Sequence, residues 1–433
     1  MKQFPNRIEI ITLGCSKNLV DSEQLHYQLA HAGYDTGHNS EFDAADIAVV
    51  NTCGFVNDAK EESIETILNL VEKKNAGKLR KIVVFGCLAQ RYMEELQHEL
   101  PEVDTFIGNF DMKALLSELM VKPPYLPAHR RVLDNHGHYA YLKIAEGCNR
   151  KCSFCAIPGF KGKYISRSID DVCNEAASLA ASGLKELMLI AQDTSFYGYD
   201  RARRYLLPDL LNELVTIQGI EWIRIHYLYP SAVTRRLIET VAEHEKICNY
   251  FDIPLQHISD EVLRNMKRNT SKADIVKILT DIRHIVPDAC LRTTFIVGFP
   301  GETRKQFNEL LSFVRGMRFD RVGAFSYSHE ENTYGARHFA DTVTARTKLA
   351  RLDSLMAVQQ QISLEKNAAK VGKVVPVMVD GNENGLFVGR TASDSVEVDN
   401  TVWIDPGKNI QVGHVYPVYV YDSAEFDLFG RIV

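Results

Sequence analysis

Three cysteines crowd into eight residues, Cys148-Asn-Arg-Lys-Cys152-Ser-Phe-Cys155. Thiolates this close on one loop ligate iron–sulfur clusters. Three of them hold three irons of a four-iron cluster and leave the fourth open. An open iron can chelate the amino and carboxylate groups of S-adenosylmethionine and pass on the electron that breaks its carbon–sulfur bond, so the spacing predicts radical chemistry. Structural zinc is the competing use. It wants four ligands, usually in CxxC pairs, and no fourth Cys or His lies nearby in sequence.

A second trio, Cys15, Cys53 and Cys87, obeys no spacing motif. Each follows a predicted strand by one or two residues, so a doubly wound fold would bring all three to the carboxyl edge of one sheet, where such sheets build ligand sites. Three unrelated buried thiols would look the same, and on the residues alone both readings stand. Cys173, Cys248 and Cys290 have no comparable loop placement and read as packing residues.

The elements that must carry these loops follow from the period of the apolar residues. RIEIITL (7–13) predicts a buried strand with an amphipathic helix over 18–32. The unit recurs as DIAVVNT (46–52) with a helix over 57–74, and as KIVVFG (81–86) with a helix over 91–100. This alternation predicts an α/β domain over residues 1–120, a doubly wound parallel sheet. Residues 121–138, with Pro123, Pro124, Pro127 and the run HRRVLDNHGH, read as a linker. Over 139–370, strands are predicted at 139–145, 185–191, 221–228, 250–255, 290–298 and 320–327, which fits a partial parallel (β/α) barrel with its chemistry at the strand carboxyl ends. A helix over 344–370, apolar at Leu349, Leu352, Leu355 or Met356, and Ile362, closes that region. Residues 371–433 turn to short alternating stretches between glycine-rich turns and predict a small β-barrel.

Composition bounds the function. A chain of 433 residues suggests about three domains at ~150 residues each. With 45% hydrophobic and 24% charged residues it is neither disordered nor a coiled coil. A net charge of −6 excludes a general polyanion binder. Nine scattered cysteines do not make a disulfide scaffold. No apolar run approaches the ~18 residues of a membrane span, and residues 1–17 lack a signal-peptide pattern, so a cytoplasmic location with no membrane partner is expected.

The CxxxCxxC loop, with an aromatic before its last cysteine, resembles the radical S-adenosylmethionine superfamily. That resemblance implies that Phe154 lies by the adenine of the cofactor. It implies that IVGFPGE (296–302), with Gly298 and Glu302, contacts the adenine through its turn, and that LIAQDT (189–194), with Gln192, lies near the methionine end. The superfamily's usual GGE triplet is absent; Ala191, Gln192 and Asp193 stand in its place, so the location carries over and individual hydrogen bonds do not. LGCSKNLVDSE around Cys15, NTCGF around Cys53 and GCLAQ around Cys87, taken with the radical loop and the terminal barrel, resemble the methylthiotransferase family over essentially the whole chain. In that family the second trio would hold another 4Fe–4S cluster whose open iron carries sulfide or a methylated sulfur chain, and the terminal barrel would be TRAM-like. S-adenosylmethionine would serve as methyl donor and radical source, with an external low-potential electron donor such as flavodoxin or ferredoxin.

Within the family, GCSKNLVD, EGCNRK, QDTS with Tyr197-Gly198 and the ending FDLFG look like the branch that modifies the β-carbon of an aspartate in the small-subunit ribosomal protein near the decoding centre, S twelve. The alternative transfer-RNA branch, which acts on a modified adenosine, typically has Gln-Met-Asn after its first cysteine. Residues 371–433 carry four basic and nine acidic residues, net −5. Such a barrel would repel phosphate, which disfavours direct RNA binding. Its acids, among them Asp394, Glu397, Asp399 and Asp405, are expected to complement a basic ribosomal protein. Arg150, Lys151, Lys161, Lys163 and Arg167 around the radical loop, with Arg201, Arg203 and Arg204, read as solvated surface, although one could hold the substrate carboxylate. A non-catalytic iron–sulfur or zinc module docking on ribosomes is a third reading, opposed by the open coordination of both trios.

Overall fold

A computed structural model describes the chain except for residues 1–6, 41–44, 123–125, 127–128 and 134–136. The chain divides into two compact units. One comprises residues up to 134 with 146–149 and 156–163; the other comprises 135–145, 150–155 and 164–433. Among the described residues no helix is long and apolar enough to cross a membrane.

The first unit is built on a five-stranded parallel sheet in the order Asp35–His38, Arg7–Thr12, Ile47–Thr52, Lys81–Gly86, Thr105–Phe106. The central strand Ile47–Thr52 is buried along its whole length, as its near-continuous apolar run requires of a parallel strand covered on both faces. Successive side chains point to opposite faces. Ala48, Val50, Ile82 and Val84 therefore pack in one core with Ile67 and Leu70, while Val49, Val83 and Phe85 pack in another with Leu25 and Leu29. Two strands escape the sequence reading: Asp35–His38 is a polar edge strand and Thr105–Phe106 has two residues. The helix expected over 91–100 begins instead at the cysteine and breaks at Tyr92 into Cys87–Arg91 and Met93–Glu99.

Pro123, Pro124 and Pro127 of the expected linker lie outside the described residues. Described residues of that stretch pack on the helix Ser16–His31: Gln28 exchanges two hydrogen bonds with the Leu126 backbone, and Arg131 pairs with Glu23 at 2.8 Å.

The second unit holds an open six-stranded sheet, with neighbours in the order Arg321–Ser326, Cys290–Val297, Ile247–Asp252, Trp222–Ile225, Glu186–Ile190, Tyr139–Lys143. Every pairing is parallel and links strands consecutive in the series, the pattern of a barrel wall that stops short of closure. The helix Ala345–Ala368 buries Leu355 and Ile362, but Leu349 is 57% exposed. The buried face instead runs through Lys348 and Gln359, polar residues with partners inside: Lys348 Nζ donates to Tyr327 O and Gln359 Nε2 to Phe319 O.

A closed five-stranded barrel ends the chain, in the order Val374–Glu383, Leu386–Arg390, Thr401–Ile404, Asp427–Ile432, Val415–Ser423, around Val377, Val379, Val402, Ile404, Val418, Val420 and Leu428. Its acids are distributed otherwise than expected. Asp394 is buried and accepts from Arg321 Nε at 2.9 Å; Asp399 accepts from Tyr250 Oη at 2.7 Å and lies 3.4 Å from Arg292. Burial alone would raise the Asp394 carboxyl, but Arg321 outweighs it and holds the group below its ordinary range. Ser395 meets His226 at 3.2 Å, Arg224 donates to Ala392 O, and Glu186 pairs with both Arg224 and Arg390. Asp394 and Asp399 thus fasten the barrel to the six-stranded sheet and do not face a partner. Asp405 accepts from Tyr421 Oη, and Glu397 is exposed.

Candidate functional site

In the first unit, three turns at the carboxyl ends of neighbouring strands carry Cys15, Cys53 and Cys87. Cys15 stands at the N-cap of Ser16–His31, Cys53 directly follows Ile47–Thr52, and Cys87 opens Cys87–Arg91. Two buried asparagines stitch the turns together. Asn18 Nδ2 donates to Leu13 O at 2.9 Å and to Thr52 O at 3.2 Å; Asn51 Nδ2 donates to Asn18 O at 2.9 Å and to Ser22 Oγ at 3.0 Å. Ser63 closes the Cys53 turn, accepting from its N–H and donating to its carbonyl. The approach tolerates no extra carbon at two glycines. A Cβ on Gly14, at φ +89°, would lie 2.7 Å from Cys53 Sγ; one on Gly86, at φ +105°, would lie 2.6 Å from Thr52 O. Both positions need the left-handed region that glycine alone enters freely.

Burial pushes the Cys53 thiol up and the Cys87 thiol up to about 12, and Cys15 lies close enough to add to both shifts, while Lys161 opposes them. These protonated soft donors are the kind a thiophilic metal group deprotonates on binding. Among the described residues no three Cys, His, Asp or Glu donors converge on one point as a single ion needs. Soft thiol donors of this kind are those that a 4Fe–4S group takes, one at each of three iron corners.

Along the CxxxCxxC loop, Cys148 belongs to the first unit, where its N–H donates to Gly162 O; Cys152 and Cys155 belong to the second. The intervening Ser153 is clamped there. Its N–H donates to Met266 O, its Oγ to Asn265 O, and its carbonyl accepts from Gly335 N. Phe154 packs with Val262, Met266, Ile296, Phe299, Tyr327 and Phe339, which brings it together with the 296–302 turn. Gly298 N donates to the Glu302 carboxylate, which also lies 3.3 Å from Arg351 and 3.7 Å from His257. Glu302 is buried, and its carboxylate shapes the turn from within. Gln192 is half-buried two residues past Glu186–Ile190; beside it, Asp193 accepts from Arg150 Nε and Ser195 Oγ, both at 2.6 Å.

The basic residues near the loop are therefore not all solvated surface. Arg150 pairs with Asp193, Arg167 with Asp171 and Glu175, and Lys161 lies 3.7 Å from Glu146, whereas Lys151, Lys163, Arg201, Arg203 and Arg204 are exposed. Cys248 and Cys290 lie in an apolar cluster with Trp222, Tyr250 and Met378, as packing residues should; Cys173 is half-buried. Sequence reasoning misses Arg268 and Tyr229. Arg268 Nη1 is 3.6 Å from Cys152 Sγ, and the guanidinium groups of Arg268 and Arg150 lie over the Tyr229 ring at 4.0 and 3.9 Å. No spacing rule relates these positions to the loop.

Comparison with known proteins places this geometry. Residues 7–108 match a family model described as uncharacterized protein family UPF0004, residues 142–314 match the radical SAM superfamily, and residues 371–433 match the TRAM domain. A Bacteroides fragilis protein described as ribosomal protein uS12 methylthiotransferase RimO is 49% identical over 428 residues, covering 98% of this chain and 99% of the relative. A Bacteroides thetaiotaomicron protein of the same description is 48% identical over 428 residues, covering 99% and 98%. The chain belongs to the RimO family. Among solved structures it is similar in fold to the radical S-adenosylmethionine methyltransferase TsrM from Kitasatospora setae with cobalamin and a [4Fe-4S] cluster bound, at TM-score 0.56 and 14% identity, covering 94% of this chain and 84% of that one.

For the RimO family, the radical SAM match implies S-adenosylmethionine and a 4Fe–4S cluster. The Gly86 contact yields a prediction. If the trio Cys15, Cys53 and Cys87 holds a cluster of its own, Gly86→Ala should leave the radical cluster in place and remove about four of about eight irons after anaerobic reconstitution, because the added methyl strikes the Thr52 backbone and shifts Cys87. Iron and sulfide assays with circular dichroism as the fold control check it.

Proposed function

We propose that this chain methylthiolates the β-carbon of an aspartate in ribosomal protein uS12, using Cys148, Cys152 and Cys155 for a radical cluster and Cys15, Cys53 and Cys87 for a second cluster that bears sulfide or a sulfur chain. The observation that carries the reading is the convergence of three cysteine turns in a chain that also holds the CxxxCxxC loop and is 49% identical to a protein described as a uS12 methylthiotransferase. When bound, the two clusters with S-adenosylmethionine supply hydrogen abstraction and a sulfur to fill the opened valence, fed by a low-potential donor such as flavodoxin or ferredoxin.

The chain's own residues have narrower tasks. Phe154 and its apolar neighbours offer a dry wall for the adenine. Asp193 holds Arg150 by a charge-assisted bond, so that guanidinium is fixed in place and is a poor candidate for a mobile substrate clamp. Ser153, bonded on three sides, fixes the backbone between Cys152 and Cys155.

The deciding experiment is a reciprocal assay. Reconstituted protein, S-adenosylmethionine and reductant are incubated anaerobically with purified uS12 and, separately, with transfer RNA. One methylthio group on a uS12 aspartate by peptide mass spectrometry, with an unmodified RNA digest, is expected. Unmodified uS12 together with methylthioadenosine in the digest would overturn the reading in favour of the transfer-RNA branch.

A further inference from the structure

We propose that Tyr227 binds the carboxylate of the target aspartate through its hydroxyl and so sets the β-carbon in place. The inference rests on the reading of uS12 as the substrate.

The backbone sets this residue apart. Tyr227 has φ +60°, and among the described residues it is the one aromatic in the left-handed region. That conformation is costly for a bulky side chain, whereas glycine and asparagine enter it more readily. Asn39, Asn332, Asn384 and Asn409 follow the rule, and Arg203 and Arg318 cap helices. Tyr227 does neither. It stands two residues past Trp222–Ile225, at the carboxyl end of an interior strand of the six-stranded sheet. Its N–H donates to Asp252 Oδ2 at 3.0 Å, its carbonyl accepts from Thr194 N at 3.1 Å, and the N–H of Leu228 donates to Asp252 O at 2.8 Å. Asp252 is itself buried and fixed by Arg292 Nη1 at 2.9 Å and His226 at 3.5 Å. Burial alone would raise its carboxyl, but Arg292, with His226, brings it down to about 2, so it holds Tyr227 as a carboxylate.

Those backbone bonds would serve a glycine equally, so the strain is borne for the side chain. The phenol lies on the side of the sheet where Tyr139, Tyr141 and Met188 pack with Val396, close enough to the Tyr141 hydroxyl to add to the rise that burial gives that group. Tyr227 is half-buried between the buried His226 and Leu228, within reach of a molecule that enters at the strand carboxyl ends. The arginines of the same surface are committed: Arg224 to Glu186, Arg292 to Asp252 and Asp399, and Arg321 to Asp394. A phenol O–H is a good donor to a carboxylate. The carboxylate of an aspartate is attached to the carbon that must lose hydrogen, so a donor on a fixed backbone that stops its rotation also aims that carbon.

The test uses the full chain, anaerobically reconstituted, with uS12 and with uS12 whose target aspartate is changed to asparagine. Tyr227→Phe keeps the ring and the backbone. It is expected to raise KM for uS12 about tenfold, the loss of one hydrogen bond to a charged group, with a smaller change in kcat. The parent's preference for the aspartate form, read by competition of the two forms for binding, should narrow, because a charged acceptor gains more from the donor than a neutral amide does. Iron content and S-adenosylmethionine affinity are measured alongside and should match the parent. Tyr227→Asn enters the left-handed region readily and is the readout if the phenylalanine variant loses iron; a KM rise of about tenfold or more is expected of it. A parent without preference, or a parent-like KM and preference in whichever variant keeps its irons, overturns the proposal. Equal loss of affinity for both forms, the mark of a merely structural role, does the same, as does a loss of cofactor affinity at unchanged preference, which would assign the phenol to the cofactor. No methylthio group on uS12 from the parent enzyme would sink the underlying reading, a separate failure.

Discussion

With Cys148, Cys152 and Cys155 changed to alanine, anaerobically reconstituted protein is expected to hold about four irons in place of about eight and to cleave no S-adenosylmethionine. With Cys15, Cys53 and Cys87 changed instead, it should also hold about four but still cleave the cofactor, while transferring no sulfur. The asymmetry follows from placement. One trio lies within eight residues of a single loop whose neighbour Phe154 packs against the 296–302 turn, and the other is assembled from three turns of a different sheet. Iron, acid-labile sulfide and 5′-deoxyadenosine are the three readouts. Full iron content in the second variant would mean that those thiols are packing residues after all.

The second large effect concerns stability. Asp394→Asn removes the anion facing Arg321 in a buried pair, and a buried charge left without its partner costs about 3–5 kcal/mol. The lower end is expected, because Thr391 still has a side-chain oxygen to bond. Replacing both partners, Arg321→Met with Asp394→Leu, should recover most of the loss, since well-packed apolar pairs substitute for buried ion pairs. Urea unfolding followed by Trp222 and Trp403 fluorescence reads the region concerned. Equal loss in the single and double variants would show that Asp394 contributes through packing alone. Glu397→Gln, at an exposed position, should leave stability unchanged.

Legibility differed by the kind of signal. Strands such as Ile47–Thr52 are readable because burial on both faces demands an unbroken apolar run, whereas Asp35–His38 is a polar edge with nothing to bury. Leu349 misleads because an apolar residue at helical spacing need not lie on the buried face when Lys348 and Gln359 find partners there. The acidic count of the terminal barrel is correct as arithmetic but silent about pairing. Arginines far away in the sequence neutralise Asp394 and Asp399, so much of the apparent field is spent internally. Arg268 is invisible for a related reason: it lies 116 residues from Cys152, and only the fold makes them neighbours.

The scattered trio has a consequence for maturation. A cluster on the CxxxCxxC loop needs the local chain ordered over a few residues, but a cluster on Cys15, Cys53 and Cys87 has no binding site until Arg7–Thr12, Ile47–Thr52 and Lys81–Gly86 have paired, because the closure entropy of two long loops must be met first. On the proposed assignment of a cluster to this trio, metal insertion there would come after folding and could not guide it. Apo-protein should accordingly refold its first unit without iron, and fraying at the Gly86 end of the sheet would release the metal while the rest of the unit stays native.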